Sequence, residues 1–151
     1  GEEKGLLGSK ALSKKLKSQN IDLYTMLNFE MIGVPFIDRD YEIFLTGYEL
    51  SNLGGKLNTY TNSTIVGISD VAKKYNLFKR SDNYSFYKEF KVPSHTISSC
   101  DLTNFDFYHH VDDEIAQLDF VFMATTINKL IPGILQICNT DSKEIQMYET
   151  N

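Results

Sequence analysis

Excess positive charge, long apolar runs and closely spaced cysteines are all missing from this sequence. Its 151 residues carry 15 Lys and Arg against 20 Asp and Glu, a formal net charge of −5. Phosphate backbones call for clustered Lys and Arg, so the balance argues against a nucleic-acid binder. No uninterrupted apolar stretch reaches the roughly 18 residues of a bilayer span. The charged opening Gly1-Glu2-Glu3-Lys4-Gly5 does not read as a signal peptide. The two cysteines, Cys100 and Cys138, lie too far apart for a metal knuckle or a redox pair. A bridge and two free thiols both stay open. Walker loops, G-x-G-x-x-G turns and G-x-S-x-G nucleophile turns are absent as well. What is present is 42% hydrophobic and 13% aromatic, the composition of one ordinary globular domain rather than a disordered chain.

Periodicity divides the chain into alternating elements. Leu6, Leu7, Ala11, Leu12 and Leu16 recur at helical spacing, with Lys14, Lys15 and Lys17 at the end where cations suit the helix dipole, and Asn20 as the stop. Ile21–Met31 is mostly apolar and reads as a buried strand, with Asn28 and Glu30 as polar exceptions. A second strand is expected over Tyr41–Gly47 and a third over Ser94–Ser99. Helices are expected over Glu49–Tyr60, Asp70–Asn76 and Asn83–Phe90. A buried helix is expected over Ile115–Leu130, broken by Pro132-Gly133. Asp101–Asp113 reads as a loop, and the polar tail Thr140–Asn151 as an edge strand or a disordered end. The alternation implies an α/β fold, a mixed sheet flanked by helices, over a single domain.

Carboxylates and histidines at element ends are the candidate functional groups. Glu2-Glu3 precedes the first helix, where a solvated acidic pair is already favourable. Glu30 closes an apolar strand, either facing outward or meeting a metal or a base. In Tyr108-His109-His110-Val111-Asp112-Asp113, an imidazole beside carboxylates suits metal ligation, whereas Asp112 or Asp113 could equally cap the next helix. His95, inside a strand, reads as structural. Glu3, Glu30 and His109 together form a candidate zinc set of one imidazole and two carboxylates.

Four blocks in order, GEEKGLLGSKAL (1–12), NFEMIG (28–33), RSDNYSF (80–86) and YHHVDDEIAQLD (108–119), resemble the di-zinc exopeptidases. That family includes bacterial leucyl aminopeptidases, glutamate carboxypeptidase and, more distantly, glutaminyl cyclase. The resemblance implies Glu2 as general base, Glu3 and His109 as ligands of one zinc, and Glu30 as a ligand of the other. It implies Tyr108 as an oxyanion donor and Arg80, Ser81 and Asp82 on the peptide-substrate side, with Asn83 standing where relatives commonly carry His. The family's other ligands, a His of a His-x-Asp motif and a bridging Asp, lie upstream of the GEE block. The expectation is therefore the C-terminal portion of a metallopeptidase domain, incomplete at its N-terminal side and inactive alone. Self-association through an exposed sheet edge and a secreted or periplasmic location are expected too. The alternatives are a glutaminyl-cyclase-like acyltransferase, disfavoured by Tyr108 where that branch has Trp, and a metal-free binding scaffold.

Overall fold

A computed structural model describes residues 1–149. Four short strands form one mixed sheet in the order β1-β4-β2-β3. They are β1 (Met26–Phe29), β2 (Ile43–Leu45), β3 (Val66–Gly67) and β4 (Ser94–Ser98). β1 runs parallel to β4 with Met26 opposite Ser94, β2 runs antiparallel to β4, and β3 runs parallel to β2. The helices are α1 (Leu7–Ser18), α2 (Leu53–Thr61), α3 (Asp70–Lys74), α4 (Asn83–Phe90) and α5 (Phe120–Cys138).

β2 sits inside the sheet and obeys the strand period of two. Ile43 and Leu45 join the main core with Leu53, Leu57, Ile97, Leu130 and Ile137, while Phe44 turns to a second cluster with Ala72 and Leu77. β4 is polar in composition yet buried throughout. Its side chains are satisfied individually. His95 bonds Ser51 Oγ through Nε2 at 2.7 Å and the Thr46 carbonyl through Nδ1 at 2.9 Å, as expected of a structural histidine. The strand expected over Ile21–Met31 pairs only from Met26, and β3, two residues long, carries no periodic signal.

Two helices depart from expectation. In α1 the side facing α4 is made by Ser9 and Ser13, whereas Leu7 and Leu12 are about half exposed. Small side chains let the helices approach, and Ser9 Oγ donates to Ser85 Oγ at 3.0 Å. The last helix starts at Phe120 rather than Ile115, because Asp119 caps it by accepting from the Phe122 N–H at 2.8 Å. Neither Asp112 nor Asp113 is the cap. Pro132 does not break it either: the helix runs through the proline, which is exposed. Gly133 serves packing, since a Cβ there would lie 3.1 Å from Leu57 Cδ2 and 3.2 Å from Thr61 Cγ2.

Nor is α5 buried all round. Thr126, Leu130, Gly133 and Ile137 pack it inward, while Val121, Ile127, Ile131 and Leu135 are exposed. By length and composition alone the helix would suffice to cross a membrane, which counting uninterrupted apolar runs does not reveal. The tail returns to the body: Ile145 is buried, Met147 bridges to Ser51, and Glu144 accepts from the Tyr60 hydroxyl at 2.5 Å. Residues 150–151 of the expected tail lie outside the described residues. Cys100, buried, and Cys138, exposed, are free thiols.

Candidate active site

Three chain segments meet at the C-terminal ends of the parallel strands β1 and β4. The turn before α1 brings Glu2 and Glu3, the exit of β1 brings Glu30, and the loop after β4 brings Tyr108 and His109. All five line one cleft of about 440 Å³, with Arg80, Asp82 and Asp113 also on its walls. A slightly larger depression of about 490 Å³ beside Tyr48, Asp70 and Phe78 contains none of the candidate residues.

Backbone strain marks these entries. Leu6 follows the glutamate pair at φ 60°, Met31 follows Glu30 at φ 49°, and His109 itself sits at φ 58°. Leu102, also on the cleft wall, has φ 76°. Left-handed backbone at Leu, Met or His costs about 1–3 kcal/mol per residue and persists only where the surroundings impose it. Among them, Met31 turns the chain directly after Glu30, which lines the cleft.

Glu3 Oε1 and His109 Nε2 lie 3.8 Å apart. His110 instead pairs with Asp112 at 3.1 Å, so the two adjacent histidines are separated by geometry. The Tyr108 ring stacks on His109, centroids 4.1 Å apart and planes 18° from parallel. Burial raises the Tyr108 phenol pKa, against the opposing pull of Arg80, so the hydroxyl remains a donor at neutral pH. Burial, and then the neighbouring Glu30, Asp82 and Glu3 charges, raises the Glu2 carboxyl pKa, while His109 acts in the opposite direction.

Glu30 is held from below. Its Oε2 accepts from Asn28 Nδ2 at 2.8 Å and from the Ser81 hydroxyl. Asn28 Nδ2 lies 3.1 Å from Thr96 Oγ1, and Thr96 donates to Asn83 Oδ1 at 2.9 Å. Asn83 donates onward to the carbonyls of Phe78 and Ser94. Of the expected substrate-side residues, Arg80 and Asp82 therefore face the cleft, whereas Ser81 lies beneath it as a support for Glu30. Asn83 is also buried and belongs to this support. Asn28 and Thr96 are functional candidates that periodicity misses. The one hint in the sequence is the polar Asn28 in an apolar strand.

The donor set fits zinc in kind and falls short in number. Ligands about 2.0–2.2 Å from a tetrahedral ion lie about 3.5 Å from each other, close to the Glu3–His109 spacing. Yet among the described residues no group of three or more His, Cys, Asp or Glu could hold a metal ion.

The sequence over residues 1–130 matches the family described as Peptidase family M28. The chain belongs to this family. A search of curated proteins found no match. Among solved structures, this M28 chain is similar to the LapA aminopeptidase of Legionella pneumophila. One structure of it agrees with a TM-score of 0.66 at 21% identity, over 88% of this chain and 35% of that one. A second structure of LapA gives 0.62 at 18% identity, over 87% and 36%. These likenesses show the fold, and the M28 chain spans about a third of the length of the structures it matches.

Proposed function

We propose that this chain contributes the general base and the substrate-facing wall of a zinc-dependent aminopeptidase that cleaves N-terminal peptide bonds. One observation supports the reading above all. Glu3 and His109 face each other at 3.8 Å in a cleft that Glu2, Glu30 and Tyr108 also line. Glu3 and His109 would hold one zinc and Glu30 a second, each ion requiring further ligands. Bound zinc supplies Lewis-acid polarisation of the scissile carbonyl and of water. Glu2 takes a proton from water on its carboxylate and returns it to the leaving amine. The Tyr108 hydroxyl donates to the carbonyl oxygen as negative charge develops there. Arg80 and Asp82 border the bound peptide.

On the same reading the 151-residue chain alone holds zinc weakly and does not turn over peptides, because catalytic zinc generally needs three protein ligands. Copies of the chain associate through the free edge of β1, which the exposed Phe29, Ile127 and Ile131 adjoin. The deciding experiment is Glu2→Gln in the zinc-loaded full-length protein, with turnover and metal content measured together. Loss of kcat with unchanged zinc supports the general base, and near-normal kcat contradicts it. Glu3→Ala serves as the contrast and should release metal.

A further inference from the structure

A hollow of about 490 Å³ lies outside the acidic cleft, at the exits of β2 and β3. Tyr48, Phe78, Tyr84 and Tyr87 line it, drawn from the turns Tyr48–Leu50 and Leu77–Lys79 and from α4. Glycines seat two of the rings. A Cβ on Gly54 would fall 2.2 Å from the Tyr48 ring, and one on Gly47, at φ 64°, 2.5 Å from the Phe78 ring. Phe78 in turn meets Tyr87 edge-on at 5.1 Å and Tyr84 at 5.8 Å between ring centres. The hydroxyls set these tyrosines apart. The half-buried Tyr24, Tyr41 and Tyr60 each engage a protein group through theirs. Among the described residues, the hydroxyls of the equally half-buried Tyr48, Tyr84 and Tyr87 engage none, a property they share with Tyr108 in the cleft.

We infer that this hollow is a docking subsite for the distal part of an extended peptide, taking a neutral apolar segment several residues beyond the scissile bond. The inference rests on the peptidase reading and extends it to longer substrates. Lys79 and Tyr84 line both this hollow and a concavity that Glu2, Glu3, Tyr108 and His109 also border, so the hollow and the cleft are continuous along the surface. Charge favours a neutral segment, because Lys73 and Lys79 are balanced by Glu49 and Asp70 on the same wall. The free hydroxyls and the ammonium groups suit backbone carbonyls, and the carboxylates suit backbone N–H groups. The rings, with Leu50 and Ile68, suit an apolar side chain. An extended peptide presents all three kinds of group together, and it is the ligand that the adjoining cleft would already hold.

The test is a titration of the ¹⁵N-labelled 151-residue chain, read as amide shifts and dissociation constants. The probes are two C-terminally amidated octapeptides, Leu-Ala-Gly-Gly-Gly-Phe-Pro-Leu and Leu-Ala-Gly-Gly-Gly-Ser-Gly-Ser, and maltotriose as a neutral saccharide. The first peptide should bind about tenfold more tightly than the second, a gain within reach of one buried apolar side chain. It should shift amides at Gly47–Leu50, Tyr84 and Tyr87 as well as at Glu2, Glu3 and His109, whereas the second should shift the cleft set alone. Tyr48→Phe/Tyr87→Phe keeps both rings and removes two hydroxyls, so the ratio of the two affinities should fall severalfold while the cleft shifts persist. Equal affinities, with shifts at the cleft, overturn the subsite and leave the peptidase reading standing. A ratio that survives unchanged in the double variant also overturns it. Maltotriose moving hollow amides that neither peptide moves assigns the hollow to a saccharide and overturns it as well. If no peptide shifts any amide of the cleft or the hollow, both the subsite and the peptide-cleft reading fail.

Discussion

On the α2–α5 side of the sheet, Ile43, Leu53, Leu57 and Ile97 are completely buried and Leu130 and Ile137 nearly so. At the ends of β1 and β4, Glu2, Glu3 and His109 stay exposed, and a lattice of half-buried Asn28 with buried Ser81, Thr96 and Asn83 supports Glu30. The first region is held by apolar area, which is non-directional and tolerates small errors of placement. The second is held by directional hydrogen bonds and by left-handed turns at Met31 and His109. Stability thus resides mainly in one half of the molecule and positional accuracy in the other.

The largest effect should come from the apolar half. Leu57→Ala leaves a cavity beside Gly133 and Leu130 and should cost about 2–5 kcal/mol by urea unfolding. The side-chain amide resonances of Asn28 should barely move in that variant. Asn83→Ala should show the converse. It removes the partner of the Phe78 and Ser94 carbonyls and of Thr96, at about 1–3 kcal/mol, and should shift the Asn28 side-chain amide markedly. If Leu57→Ala disturbs Asn28 as strongly as Asn83→Ala does, the two regions are not separate.

A titration separates them further. Burial holds the His95 pKa below its ordinary value, with the Thr46 carbonyl acting in the opposite direction. The unfolded chain therefore binds a proton at a higher pH than the folded one. The stability from neutral His95 is complete above a pH of about 6.5 and is lost as pH falls through and below it. Urea unfolding from pH 7.5 to 5.5 should show this slope, and His95→Gln should flatten it. The smallest effect concerns strain outside the cleft. Lys91 ends α4 at φ 58°, so Lys91→Gly should raise stability by about 0.5–1 kcal/mol. Met31→Gly relieves the same kind of strain, yet it should broaden the Glu30 and Asn28 signals because it frees the turn that aims the carboxylate.

The contrast also explains what could be read in the sequence. α4 and β4 lie where local reading expects them, Asn83–Phe90 as a helix and the strand expected over Ser94–Ser99 following Pro93 and ending at Ser98. The end of α5 does not. Pro132-Gly133 is a normal stop signal, overridden here because the proline faces water and the glycine is needed against Leu57. The burial of Ser9 and Ser13 in place of Leu7 and Leu12 depends on α4, which no window around α1 contains. At the site, the ordered blocks suffice to nominate Glu2, Glu3, Glu30, Tyr108 and His109. The Asn28–Glu30 bond is local, but the bond from Ser81 spans 51 residues, and the link through Thr96 to Asn83 depends on β1 pairing with β4 across 68. The convergence of Tyr48, Phe78, Tyr84 and Tyr87 on one hollow is likewise a product of three-dimensional packing.

On the proposed reading, Glu3 and His109 form the half-site for one zinc and the neighbouring histidines take no part. Long-range ¹H–¹⁵N spectra of the histidine side chains during zinc titration of the 151-residue chain test it most directly. The His109 Nε2 resonance should move with weak, saturable affinity, while those of His95 and His110 stay in place, and Glu3→Ala should abolish the shift. Movement of His110 in preference to His109, or a His109 response that survives Glu3→Ala, would contradict it.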